Sequence, residues 1–154
     1  MDKNTESREK KVTLKKLETG IDEAMIDRLV RHFYGKIQTD AILGPIFNER
    51  IVDWEPHLLK MIDFWSSATL KTGKYKGNPL IKHNPLPIDG RFFDHWLELF
   101  NEAAREICTE KAALIFKEKS ELIARSLELG IAINKGTLPL KDERYIDQSL
   151  TFSK

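Results

Sequence analysis

The stretch Trp54-Glu-Pro-His57-Leu-Leu-Lys-Met61-Ile-Asp-Phe64-Trp65 decides how this chain is read, together with the two segments that follow it. These are Thr72-Gly-Lys-Tyr75-Lys-Gly77-Asn-Pro79-Leu-Ile-Lys-His83 and Pro87-Ile-Asp89-Gly-Arg-Phe92-Phe93-Asp-His95-Trp96. The first predicts a helix with Trp54, His57, Leu58, Met61, Trp65 and Ala68 on one face. His57, Met61 and Trp65 follow one another at steps of four, so they stack along that face. Asp53 is placed to cap this helix, and Pro56 is tolerated in its first turn. Lys71 to Pro79 holds glycines and a proline and reads as a loop or frayed turn. Leu80 to His83 is expected to form one more helical turn, which Asn84-Pro85 stops. Asp89 then caps a helix that buries Phe92, Phe93, Trp96, Leu97, Phe100, Ala103, Ala104 and Ile107. His57 and His83 thus stand on separate elements among large aromatic side chains.

Working outward, Ile21, Met25, Ile26, Leu29, Val30, Phe33, Tyr34 and Ile37 repeat at steps of three and four. That period predicts a helix from about 21 to 38. Asp40 to Phe47 reads as a short broken element punctuated by Gly44-Pro45, with Ile46-Phe47 turned inward. Downstream, Thr109 is expected to cap a last helix with Ala112, Ile115, Phe116, Leu122, Ile123, Leu127 and Ile131 on its stripe. Gly130 weakens that pattern, Ile131 keeps its period and Gly136 stops it. No segment alternates with period two over strand length. The expected fold is all-α, one domain with four substantial helices and no repeat. The expected organisation is a charged, disordered extension over 1–18, a helical domain over 19–136 and a loose polar tail over 137–154.

The chain has 154 residues, enough for one real core. Lys+Arg is 25 and Asp+Glu is 24, so neither nucleic acid nor an anionic membrane is an expected partner. The lone Cys108 excludes an internal disulfide framework and suits a reducing compartment. No apolar run resembles a secretory signal or approaches the roughly 20 residues of a membrane span. A cytoplasmic location is therefore expected by default.

Several chemistries lack their motifs. No phosphate-binding glycine loop, paired-cysteine zinc site or calcium loop is present, and Ser66-Ser67 lies in a helical pattern without a nucleophile elbow. Asp53 with His57, or His95 with Glu98, has a spacing that could share a metal, but a di-iron site would need paired Glu-x-x-His motifs that are missing. A single histidine near a helix end is usually a surface residue or a cap, and one on an apolar face is usually a core histidine. The combination says more. His57 and His83 lie on different elements, with Tyr34, Phe47, Trp65, Phe93 and Trp96 drawn in from several others. Such a set suits a flat apolar cofactor with a metal at its centre: the metal needs an imidazole and the ring needs apolar walls.

At this point the chain resembles the truncated haemoglobins, and most specifically their third group. The matching segments run Phe33-Tyr34, Leu43-Gly-Pro-Ile-Phe47, Trp54-Glu-Pro-His57 and Phe64-Trp65, then Tyr75 to His83 and Leu86 to Phe100. Each is weak alone; in this order, over about Thr19 to Ile133, they are specific. The paired-glycine motifs common in the other two groups are missing. The resemblance implies a shortened globin, a 2-on-2 helical sandwich around haem b, pairing 21–38 with 54–70 and 90–108 with 110–135. It implies that His83 is the proximal iron ligand. Tyr34, His57 and Trp96 would stand on the distal side, with Met61 as an apolar wall where a branched aliphatic or aromatic residue is more usual. Phe47 would pack on the haem edge and Phe93 would line the pocket; Trp65 and Tyr75 complete the expected cofactor contacts.

A site of that kind would bind diatomic gases: oxygen, nitric oxide and carbon monoxide. Tyr34 and Trp96 each offer one strong donor in a dry pocket, which should slow oxygen release. Slow release suits redox or detoxification chemistry at oxygen, nitric oxide or peroxide better than transport. Nitric oxide dioxygenase or peroxidase-like turnover would need an external reductase, because no flavin or nicotinamide domain is present. The alternatives are a haem-based sensor or oxygen reservoir acting through a partner protein, and a helical interaction module whose aromatics are only core.

Overall fold

The computed structural model describes residues 3–153. Met1, Asp2 and Lys154, at the ends of the two expected tails, lie outside the described residues. The described residues form seven helices: α1 (Lys3–Thr19), α2 (Glu23–Thr39), α3 (Leu43–Arg50), α4 (Trp54–Leu70), α5 (Pro79–His83), α6 (Gly90–Ile107) and α7 (Glu110–Asn134). No strand occurs among them. Helix α2 packs on α4, and α6 packs on α7. Helix α2 also crosses onto α6, which joins the two pairs into one core. This is the all-α sandwich that the sequence predicts. No helix is long and apolar enough to cross a membrane among the described residues.

Helix α2 begins two residues later than its apolar period suggests. Asp22 is extended, and its carboxylate accepts a hydrogen bond from the Met25 N–H at 2.8 Å. Ile21 therefore precedes the cap, yet it is fully buried, as is Ile26. They occupy the two positions of a hydrophobic staple, which sets how the chain enters the helix. Asp89 and Thr109 cap α6 and α7 as expected, accepting from Arg91 and Ala112. Asp53 precedes α4 but makes no side-chain cap bond.

Three expectations need correction. Gly44-Pro45 does not break a helix; α3 runs unbroken through Leu43–Arg50. Both residues lie in its first turn, where proline loses no needed hydrogen bond. A Cβ at Gly44 would stand 3.0 Å from the Gln38 carbonyl oxygen, so this glycine lets α3 fold tightly back on the end of α2. In α7 Leu122 is 68% exposed, and Ala124 takes the buried place instead. The third correction concerns the ends. Residues 3–19 are helical rather than disordered: they hold no glycine or proline, and Val12 seats the helix on the core. The segment after α7 is not loose either. Tyr145 is only 6% exposed, Phe152 packs on the core, and Arg144 reaches three carboxylate or carbonyl partners.

Gly130, the irregularity in α7, does not interrupt the helix. A Cβ there would meet the Leu80 side chain at 3.1 Å and the Asn84 side chain at 3.4 Å. The glycine is where α5, the short helix that ends in His83, rests on α7. A gap in the apolar pattern thus marks a close approach of two helices.

Candidate functional site

A cavity of about 510 Å³ lies between the two helix pairs. Tyr34, Phe47, His57, Met61, Trp65, Tyr75, His83, Phe93 and Trp96 all line it, so the fold brings every sequence-predicted site residue to one place. The lining is mainly apolar. Volume and character both suit a small-molecule or cofactor site.

His83 stands at the end of α5. Its Nδ1 lies 2.7 Å from the Pro79 carbonyl oxygen, one turn back. A carbonyl only accepts, so Nδ1 carries the proton and Nε2 keeps a lone pair. Nε2 has no hydrogen bond among the described residues. Burial pushes the imidazole pKa down, which keeps it neutral. A neutral ring with one nitrogen anchored and the other open is how a metal-binding histidine is held.

Tyr34, on α2, and His57, on α4, meet edge to face at 5.1 Å between ring centres. Trp54 closes on both, 5.9 Å from Tyr34 and 5.7 Å from His57. Phe47, brought in by α3, stands 6.1 Å from Tyr34. The Tyr34 hydroxyl makes no hydrogen bond among the described residues, and burial raises its pKa well above the ordinary tyrosine range. It stays a donor at any ordinary pH. The His57 Nε2 is sealed from solvent with no partner among the described residues.

His57 carries the clearest electrostatic signature. Its pKa is pushed down to about 4, by burial first and then by the positive charges of Lys60, of His83 once acid protonates it, and of Lys82. An unfolded histidine takes up its proton near 6.5. The folded value lies below the unfolded one, so unfolding binds a proton in the interval between them and acid favours the unfolded chain. The cofactor-free protein is therefore expected to lose stability as pH falls from about 6.5 towards about 4. Urea midpoints of wild type and His57→Leu, compared at neutral pH and in mild acid, check this. The wild type should lose more stability on acidification than the variant; parallel losses would mean that His57 is not the titrating group.

Trp96 rests flat on Phe100, with ring centres 5.2 Å apart and planes 2° from parallel. Trp65 stacks on the same Phe100 at 4.9 Å and 18°. Phe33 meets Trp96 and Phe100 edge on, each at 5.2 Å. Phe100, buried to 1% exposure, is thus the common support of two cavity-lining indoles. The sequence stripe marked Phe100 as core, but its support of both tryptophans needs Trp65 of α4 and Trp96 of α6 to reach it from different helices. Tyr75 leans edge on against Phe64 at 5.2 Å, and its N–H donates to the Ser67 hydroxyl at 2.9 Å.

The cavity also has lining residues that the sequence did not single out. Leu86, Ile88, Phe92, Ile123 and Leu127 add apolar wall, and Arg50, Lys60 and Lys82 bring positive charge to its edge. Phe92, Ile123 and Leu127 were legible only as core, and Leu86 and Ile88 lie between helices, outside any apolar period. The cations carry no sequence signal, because lysine and arginine are scattered over the whole chain. The other two histidines serve elsewhere: His32 pairs with Glu106 at 2.9 Å and His95 with Asp40 at 2.9 Å. His95 therefore braces α6 against the turn before α3. No three metal-binding side chains converge among the described residues.

No family model matches the chain. It is 37% identical over 114 residues to the group 3 truncated hemoglobin ctb of Campylobacter jejuni, covering 71% of this chain and 89% of that protein. The crystal structure of the group III truncated hemoglobin from Campylobacter jejuni superposes with a TM-score of 0.67 at 34% identity, covering 70% of this chain and 89% of that one. The hemoglobin of the thermophilic phototrophic bacterium Chloroflexus aurantiacus superposes with a TM-score of 0.61 at 25% identity, covering 73% of this chain and 95% of that one. The helix order and the shared sequence lead to one conclusion: the chain belongs to the group 3 truncated haemoglobins.

Proposed function

We propose that the cavity holds haem b, that the His83 Nε2 binds its iron, and that the site takes oxygen and related diatomic gases. The observation that carries this reading is the His83 imidazole, anchored through Nδ1 at 2.7 Å and open at Nε2 within a mainly apolar cavity. The remaining residues fit the same group. Phe47, Met61, Trp65, Phe93 and Trp96 offer flat or flexible apolar walls. Arg50, Lys60 and Lys82 suit the carboxylates of a porphyrin edge. Haem, when bound, supplies an iron that takes a small ligand at its free position and exchanges electrons with it.

The protein's own contribution is polarity in a dry pocket. The Tyr34 O–H and the Trp96 N–H have no hydrogen-bond partners within the described residues, so both are free to donate to a ligand that gathers negative charge. In a low-dielectric site such bonds are stronger than in water. Retention of oxygen favours redox or detoxification chemistry over delivery. That chemistry draws its electrons from an external reductase. The site is proposed to work on oxygen, nitric oxide or peroxide, in a reducing compartment such as the cytoplasm.

An absorption spectrum tests the cofactor. A Soret band with about one haem per chain is the result expected of a single cavity this size. A chain that takes up no haem from solution would overturn the reading. Steady-state consumption of nitric oxide or peroxide with a reductase then separates turnover from simple storage.

His57 serves as a gate in this scheme. Its ring is wedged between Tyr34 and Trp54 and lines the cavity. His57→Ala is expected to change the rate of carbon monoxide association more than the rate of oxygen dissociation. Association identical to wild type in flash photolysis would count against the gate. A large rise in oxygen dissociation would make His57 a direct donor instead.

A further inference from the structure

We propose that the C-terminal segment from Arg144 to Phe152 is a positioning element of the cofactor site, one that holds the wall following His83 from outside the cavity. The inference rests on the reading of His83 as iron ligand. The segment lies beyond the stretch from about Thr19 to Ile133 that resembles the family, and none of its residues lines the cavity.

The segment is wedged between α6 and α7 at the first turn of α6. The Gly90 N–H donates to the Tyr145 carbonyl at 2.7 Å, and the Tyr145 N–H donates to Glu128 on α7 at 3.0 Å. Arg144 spans the same gap. It donates to the Gly90 carbonyl at 2.8 Å, to Glu128 at 2.6 Å and 3.0 Å, and to Asp94 at 2.8 Å. Asp89, fully buried, accepts from Arg91 at 2.6 Å and from the Asp147 N–H at 3.0 Å. Arg91 in turn donates to the carbonyls of Asp147 and Leu150. Phe152 closes the arrangement by lying edge on against Phe92 at 5.2 Å.

The fit is built into the backbone as well. A Cβ on Gly90 would stand 2.8 Å from the Arg144 guanidinium and 3.1 Å from both Glu128 and the Tyr145 carbonyl. Any side chain there would have to push the Arg144 guanidinium out of its hydrogen bonds and crowd the Tyr145 backbone. What it clamps matters for the cofactor. Leu86, Ile88, Phe92 and Phe93 are the cavity wall that follows His83, and they run straight into the clamped turn. Glu128, the other anchor, lies two residues before Gly130, on which the His83 helix rests. The clamp therefore fixes both supports of the proximal histidine at once. Buried charges held by several hydrogen bonds make such a joint stiff, since each partner is costly to leave unpaired.

The test compares Phe152→Ala, Phe152→Leu and Arg144→Ala with wild type, all as full-length haem-loaded protein. Resonance Raman reads the iron–imidazole stretch of the ferrous form, and an acceptor apoglobin reads the rate of haem loss. Phe152→Ala and Arg144→Ala are expected to shift or broaden the stretch. They should also speed haem loss about tenfold, the factor given by about 1.4 kcal/mol. Phe152→Leu, which keeps most of the apolar contact, should restore wild-type behaviour. If both alanine variants melt at lower temperature yet keep the wild-type stretch and haem-loss rate, the segment is structural only and the proposal is overturned. Should Arg144→Ala not fold, the Phe152 pair decides alone. A wild type with no iron–imidazole stretch would instead defeat the assignment of His83, which keeps the two failures apart.

Discussion

His83→Ala protein is expected to lose its haem during purification. The reason lies in the inventory of imidazoles. The chain has four histidines. His32 is taken by Glu106 and His95 by Asp40, both in contacts between helices away from the cavity. His57 is held between Tyr34 and Trp54 by ring contacts, and its Nε2 has no partner among the described residues. Among the described residues, His83 is the only cavity-lining histidine anchored through a ring nitrogen. Losing a residue that merely supports a metal ligand costs about 10- to 100-fold in affinity. Losing the ligand itself should exceed the upper end of that range. Pyridine haemochrome content after gel filtration gives the occupancy, and added imidazole should restore part of it by filling the space left by the side chain. A His83→Ala protein that retains full haem with an unchanged spectrum would show that iron is bound elsewhere.

The second large effect is expected at Tyr34 and Trp96. A hydrogen bond to a charged or strongly polar acceptor contributes about 1.5–3 kcal/mol. At about 1.4 kcal/mol per factor of ten, removing either donor should speed oxygen release roughly ten- to a hundredfold. Phenylalanine is the right replacement at both positions. Tyr34→Phe keeps a ring that already packs against Phe33, Phe47 and Trp54. Trp96→Phe keeps an aromatic face on Phe100 and deletes the N–H. The two effects should not add, because both donors would serve one ligand. Carbon monoxide gathers less charge when bound, so its release should change much less. Stopped-flow dissociation of both gases from the single variants and the double decides. Equal, small changes for the two gases would reduce Tyr34 and Trp96 to packing, and the case for redox chemistry would lose its support.

What could be read in the sequence was what local physics dictates. Apolar spacing located α2, α4, α6 and α7 to within a few residues, and Asp89 and Thr109 announced their caps. The Asn84-Pro85 pair placed the end of α5 at His83. The side chains lining the cavity were legible because large aromatics and two histidines cluster along the stretch that builds it. What could not be read depends on residues far apart in the chain. Arg144 looked like one more charge in a polar tail, because its partners Glu128 and Asp94 lie on two other helices. Residues 3–19 show little apolar periodicity, so only contact with the body gives their helix a reason to form. Leu122 and Ala124 were misjudged for a related reason. Hydrophobicity favours burying the leucine, but the face that α7 turns to its neighbours is set by helix packing rather than by the single residue.

The Trp65–Phe100–Trp96 stack and the Trp54 contact with His57 have a spectroscopic consequence. The chain holds three tryptophans. Two line the cavity and the third touches residues that do. Every strong ultraviolet fluorophore of the protein therefore sits at the site, and none reports on the distant surface. The intrinsic emission of the folded chain is the emission of its pocket, so energy transfer to an absorbing occupant would silence nearly all of it without any attached label.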